Sequence, residues 1–136
     1  YLTFLSPNDE YLFLIYQQIG ILFYEKKQFN QAIKYFKHAL TIALHANGLD
    51  YLALSDLYHL IGKSFEAEGD WIEAMQNYHS SLENKLSHPS IDFLSIAENY
   101  TQIGEIFQRV YDYSTALFYY QKTLSIQQKS LPPNHG

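Results

Sequence analysis

Sliding the sequence past itself by 42 residues brings it into register with itself. That internal repeat limits the folds open to the chain more than any other feature. Three glycines set the frame, Gly20, Gly62 and Gly104. Four residues before each is an aromatic (Tyr16, Tyr58, Tyr100), and just before each is Ile19, Ile61 or Ile103. Three residues after come Phe23, Phe65 and Phe107, and nine after come Phe29, Trp71 and Tyr113. Twelve after are Ala32, Ala74 and Ala116; sixteen after, Phe36, Tyr78 and Tyr120; twenty after, Leu40, Leu82 and Leu124. Leu5, Pro7 and Asn8 recur three periods later as Leu131, Pro133 and Asn134. A chain that starts at Tyr1 and stops in phase is expected to be a piece of a longer array.

Inside each unit the apolar spacing is helical. Tyr16, Ile19, Gly20 and Phe23 fall at i, i+3, i+4 and i+7, one stripe of a helix. Ala32, Phe36, Ala39 and Leu40 make a second stripe. The break between stripes is Gly69-Asp70 in the second unit, a helix-ending glycine followed by an N-cap aspartate. Asp112 holds the cap position in the third unit and Gln28, a poorer cap, in the first. So short a break forces the two helices antiparallel. Asn47-Gly48, Ser87-His88-Pro89 and Leu131-Pro132-Pro133 are expected to end the second helices. Each unit is then two helices of about 17 residues, about 25 Å long. The repeats run over about 9–48, 50–88 and 90–131, with 132–136 a linker. A mid-helix glycine costs about 1 kcal/mol relative to alanine. Three at one phase predict a close helix crossing, with the alanine twelve residues on as the opposing surface.

Composition narrows the function classes. With 136 residues and 47% hydrophobic content, the chain is ordinary globular material. No apolar run approaches ~20 residues, and no signal-peptide pattern opens the chain. No membrane partner is expected. Cysteine is absent, which removes disulfide scaffolds, Cys-based zinc sites and thiol nucleophiles, and suits a reducing, cytoplasmic setting. A net charge of -5 weighs against nucleic acid. The pair Tyr119-Tyr120 could stack bases, but Tyr120 already belongs to a core column. His38 and His45 share a helix face and His79 and Glu83 stand at i, i+4, yet neither pair has a third metal ligand. His88 and His135 look like turn residues. No P-loop, nucleophile elbow or dinucleotide fingerprint is present, so no enzyme activity, cofactor or metal is expected. The sequon Asn99-Tyr100-Thr101 contains an expected core aromatic and is not expected to be glycosylated.

Each unit resembles a tetratricopeptide repeat. The first carries the whole pattern in Tyr16, Ile19-Gly20, Phe23, Ala32, Phe36 and Ala39, while the later units depart with Ser81 and Thr123 in place of the last alanine. The usual unit of that family has 34 residues. The longer period here, with the linkers Lys129–His135 and Ser87–Gly104, is similar to the arrays of kinesin light chains. The resemblance implies an all-α, right-handed solenoid of three hairpins, six antiparallel helices in all. It implies that the first helices line a concave groove that binds a peptide or segment of a partner protein, as an adaptor or scaffold does.

The groove positions implied by the resemblance lie six and three before the glycine and one, four and five after it. They are Leu14, Gln17, Ile21, Tyr24 and Glu25 in the first unit. The second contributes Asp56, His59, Lys63, Glu66 and Ala67, and the third Glu98, Thr101, Glu105, Gln108 and Arg109. Five carboxylates face two fixed cations, Lys63 and Arg109. A clamp of Lys, Asn and Arg for a terminal carboxylate does not fit, because the set holds no asparagine. A partner with basic and apolar side chains does, helped by hydrogen bonds from Gln17, Thr101 and Gln108. The competing reading is a spacer in a longer solenoid, with these residues only a solvated surface or the groove filled by the parent's own segment. The last second helix, with Leu117, Leu124 and Ile126, is expected to leave an apolar edge through which the chain self-associates.

Overall fold

A computed structural model of the chain describes residues 7–45, 51–87 and 92–130. Six helices fill them: α1 (Pro7–Glu25), α2 (Phe29–Leu44), α3 (Tyr51–Glu68), α4 (Trp71–Leu86), α5 (Phe93–Arg109) and α6 (Tyr113–Ser130). No strand occurs among the described residues. The expected stops at Asn47-Gly48, His88-Pro89 and Leu131–Pro133 lie outside them. The chain packs as two compact units that divide after Asn84, inside the last turn of α4. The first holds α1 to α3 and most of α4; the second holds the end of α4 with α5 and α6.

Each hairpin turns by the same backbone device. Gln28 N–H donates to the Phe23 carbonyl (2.9 Å) while Lys27 N–H donates to that of Tyr24 (2.9 Å). The same pair recurs from Asp70 and Gly69 to Phe65 and Glu66, and from Asp112 and Tyr111 to Phe107 and Gln108. These are Schellman closures, with the C′ residue left-handed: Lys27 at φ 65°, Gly69 at 82° and Tyr111 at 68°. The next residue already caps the following helix. The Asp70 carboxylate accepts from Glu73 N–H (3.3 Å), and that of Asp112 from the Thr115 N–H and hydroxyl (3.2 and 2.8 Å). Gln28 makes no such side-chain bond, as its chemistry implied. Two or three residues between helix end and helix start leave only the antiparallel arrangement.

The core of the first unit is continuous over three helices. Phe13 of α1, Ala32, Phe36, Ala39 and Ala43 of α2, and Leu54, Leu57 and Ile61 of α3 form one buried apolar cluster. The recurring glycine sits where the hairpin is tightest, but its neighbour is not the alanine column. A methyl added at Gly20 would lie 2.5 Å from the Phe36 ring, at Gly62 2.8 Å from the Tyr78 ring, and at Gly104 2.9 Å from the Tyr120 ring. The ring of the aromatic sixteen residues on therefore lies against the glycine. Only in the second hairpin does the alanine also come close, through the Ala74 carbonyl at 3.3 Å. The alanines are nonetheless buried, at 0%, 0% and 3% exposure for Ala32, Ala74 and Ala116.

The departures at Ser81 and Thr123 have a local cause. Ser81 donates its hydroxyl to the Ser55 carbonyl (2.9 Å) and Ser55 returns a bond to that of Ser81 (3.3 Å). One period on, Thr123 donates to the Ala97 carbonyl (3.2 Å). In the first hairpin these two columns hold Phe13 and Ala39, both apolar and buried. The last small position thus varies with its partner across the hairpin, bulk against methyl in one unit and hydroxyl against backbone carbonyl in the others.

Candidate functional site

The fifteen groove positions lie on α1, α3 and α5, and their exposure follows their column. Leu14, Asp56 and Glu98, six before the glycine, are all exposed, as are Glu25, Ala67 and Arg109, five after it. Gln17, His59 and Thr101 are half-buried. The middle columns are mixed: Ile21, Tyr24, Lys63 and Glu66 are half-buried, Glu105 and Gln108 exposed.

In the first unit, α1 and α3 bring an aromatic, a cation and a carboxylate together. The Lys63 ammonium stands 5.5 Å from the centre of the Tyr24 ring, a cation–π contact. The Glu66 carboxylate accepts from the Tyr78 hydroxyl at 2.6 Å, reaching back into its own hairpin. Burial, and next the charge of Glu66, push the Tyr24 hydroxyl above its ordinary value. Ile21 packs at the margin of the core, and His59 rests its ring 5.6 Å from that of Tyr78. The exposed part of this face is therefore Leu14, Glu25, Asp56 and Ala67, with Lys63 leaning on an aromatic.

In the second unit, two expected hydrogen-bonding groups are engaged within their own hairpin. The Thr101 hydroxyl donates to the Ala97 carbonyl (3.0 Å) and lies 3.0 Å from the Thr123 hydroxyl. The Gln108 side-chain carbonyl accepts from the Tyr120 hydroxyl at 2.7 Å. These side chains tie α5 to α6, and Glu98, Glu105, Gln108 and Arg109 of this set are exposed. Burial, then Glu105, raises the Tyr120 hydroxyl. One pairing rule links the units. Where the core ring is tyrosine (Tyr78, Tyr120), the residue twelve before it is an acceptor (Glu66, Gln108); where it is Phe36, that residue is Tyr24.

Two arrangements were not read from the sequence. Tyr35 of α2 stacks on Phe23 (5.5 Å, 15°) and lies 6.2 Å from Tyr16, with His38 stacked on Tyr16 at 5.2 Å. Tyr119 repeats this with Phe107 (5.7 Å, 5°) and Tyr100 (6.1 Å), and Lys122 replaces the histidine over Tyr100 at 5.7 Å. The signal was a fifteenth-position tyrosine matched in two of three units, with Asn77 in the other. Asn99 is wholly buried and accepts from the Lys85 ammonium at 2.7 Å, while that ammonium also reaches the Ser95 carbonyl at 3.3 Å. The sequon residue is thus part of the interior, and the expected core aromatic Tyr100 is only half-buried.

A family model for the tetratricopeptide repeat matches residues 11–87, more than half of the chain. No curated protein sequence gives a significant match. Among solved structures, the tetratricopeptide domain of Arabidopsis FLU is similar at a TM-score of 0.77 and 20% identity, covering 89% of this chain and 98% of that one. BtubC (BKLC) from P. vanneervenii is similar at 0.78 and 16% identity, over 91% of this chain and 50% of that one. A putative kinesin light chain from Podosopora anserina with nearly identical repeats gives 0.73 and 12%, over 96% of this chain and 61% of that one. At these identities the likeness is one of fold, an all-α helical repeat. The chain spans only half to three-fifths of the last two proteins.

Proposed function

Because the chain belongs to the tetratricopeptide repeat family, whose domains generally bind protein partners, we propose that the face shared by α1 and α3 holds a peptide segment of a partner rich in basic and apolar side chains. One observation carries this reading. Of the four charged groups at the ten positions on these two helices (Glu25, Asp56, Lys63 and Glu66), Lys63 is the single fixed cation, and it lies over the Tyr24 ring. The outward field is then set by Glu25 and Asp56, beside the exposed Leu14 and the half-buried Ile21. A cationic side chain would meet carboxylates, and an aliphatic one would meet Leu14 and Ile21. On α5 the exposed Glu98 and Glu105 support the same preference. An adaptor or scaffold role, like that of kinesin light chains, follows from such binding.

The test is fluorescence anisotropy with two labelled peptides, one alternating lysine and leucine and one alternating glutamate and leucine. The lysine peptide binds more tightly, and Glu25→Lys with Asp56→Lys weakens it about tenfold, with the circular dichroism spectrum unchanged. Equal binding of both peptides, or no effect of the double reversal, sinks the groove assignment. A second reading is favoured by Glu66, Thr101 and Gln108, which serve their own hairpins. It makes the repeats a spacer, and under it neither peptide binds.

A further inference from the structure

Lys63 works against the preference of the face that carries it, since a fixed cation repels a partner rich in basic side chains. Its surroundings explain the placement. The Lys63 ammonium, on α3, stands 5.5 Å from the centre of the Tyr24 ring on α1. Phe29 meets that ring edge-on, at 5.2 Å and 69°, and so orients it from the start of α2. Glu66 follows Lys63 by three residues on α3, a spacing that makes helical side chains neighbours. The Tyr78 hydroxyl donates to the Glu66 carboxylate at 2.6 Å and holds it in place. Its charge is felt at Tyr24, where after burial it is the second cause that raises the hydroxyl. An oriented ring beside a held carboxylate is a seat for one cation. Lys63 fills that seat from within the chain.

The repeat columns show why the seat arises in this hairpin. In the column of Tyr24 the other units hold Glu66 and Gln108, and each accepts from the core tyrosine of its own hairpin. Phe36 has no hydroxyl, so Tyr24 is not tied inward in that way, and its ring meets α3. In the column of Lys63 the other units hold Ile21 and Glu105, neither of them a cation.

We propose that Lys63 is a stand-in for the ligand, and that a lysine or arginine side chain of the bound partner displaces it from the Tyr24 ring. This rests on the reading of the α1–α3 face as a peptide site, and it names the subsite and the residue that limits its affinity. The exchange is easy. A cation–π contact at a half-buried position contributes only a factor of about two to five to an equilibrium. The flexible four-carbon stem of lysine lets the displaced ammonium swing into water and regain its hydration. The arriving cation gains the ring and the Glu66 charge, but it has to replace one already there. Lys63 therefore lowers the affinity of the seat without changing its preference for cations.

Nuclear magnetic resonance with two probes tests it, each variant being checked for intact helix content by circular dichroism. The first probe is the lysine–leucine peptide. In the free chain the Tyr24 ring current shifts the Lys63 ε-protons upfield. Saturating peptide returns them to the position of an exposed lysine and moves a peptide lysine upfield in their place. Lys63→Ala binds this peptide about fivefold more tightly, and in a Tyr24→Leu background the gain falls to about twofold or less, the part due to charge alone. The second probe is N-acetyl-lysine methylamide, one cationic side chain that needs no groove. It shifts the Tyr24 ring signals of Lys63→Ala at about fivefold lower concentration than those of the wild-type chain. Peptide binding that leaves the Lys63 ε-protons in place, or an equal gain from Lys63→Ala with and without Tyr24, overturns the stand-in and leaves the groove reading intact. An amide response that is the same in the wild-type chain and Lys63→Ala overturns it as well. A peptide that does not bind sinks the groove reading, and the amide comparison then decides the seat by itself.

Discussion

Replacing Gly20 with alanine separates the packing account from helix propensity, because the two predict opposite signs. In an exposed helix, glycine to alanine gains about 1 kcal/mol. Here the added methyl would sit 2.5 and 2.6 Å from two atoms of the Phe36 ring, about 1 Å inside ordinary carbon contact. Phe36 has 0% exposure within the α1–α3 cluster, so its ring has nowhere to swing. Overpacking of that kind costs about 1–3 kcal/mol; set against the propensity gain, Gly20→Ala should lose about 1–2 kcal/mol. Gly62→Ala should lose a similar amount, since Tyr78 is buried, is held by Glu66, and leaves the Ala74 carbonyl close on the other side. Gly104→Ala should be near neutral, because the Tyr120 ring is half-buried and can yield. Urea unfolding followed by circular dichroism measures all three, and Phe36→Leu should erase the penalty at Gly20. A higher unfolding midpoint for Gly20→Ala in the native background would refute the reasoning.

Other perturbations have equally definite outcomes. Lys27 and Tyr111 hold left-handed conformations that Gly69 takes without strain, so Lys27→Gly and Tyr111→Gly should each stabilise the chain by about 1 kcal/mol in thermal unfolding, and Gly69→Ala should destabilise it. Tyr78→Phe should cost about 1 kcal/mol through the lost bond to Glu66, and Tyr78→Phe with Glu66→Tyr, the pairing of the first hairpin, should recover part of it in a double-mutant cycle. Burial and Glu66 raise the Tyr24 hydroxyl, so the native state holds that proton more tightly than the unfolded chain. The stabilisation is complete below about pH 10 and is lost as pH rises through that range. Tyr24→Phe should flatten this alkaline loss in unfolding curves recorded across the range.

The 42-residue period, the helix pairs and the caps at Asp70 and Asp112 were legible because each rests on local chemistry repeated in phase. The glycine column was legible as a close approach, but not its neighbour. Spacing along one helix does not say which residue of the other lies across, and Phe36, Tyr78 and Tyr120 all outreach an alanine methyl. The candidate face was legible by column, yet Thr101 and Gln108 are engaged within the hairpin. Their partners Ala97, Tyr120 and Thr123 are 4, 12 and 22 residues away in sequence, and only folding shows that they are hydrogen-bonded. The tyrosine ladder at Tyr35 and Tyr119 was hidden by Asn77, which breaks the column in the middle unit. Burial of Asn99 had no local signal, since it depends on Lys85 reaching across from the end of α4.

The most direct test of the binding account is a titration of the isotopically labelled chain with the lysine–leucine peptide, followed by amide chemical shifts. The account predicts shifts that saturate together and concentrate on α1 and α3 around Leu14, Ile21, Asp56 and Lys63, with α2 and α4 unmoved. Shifts centred on α2 or α4, or no saturable shift at all, would contradict it.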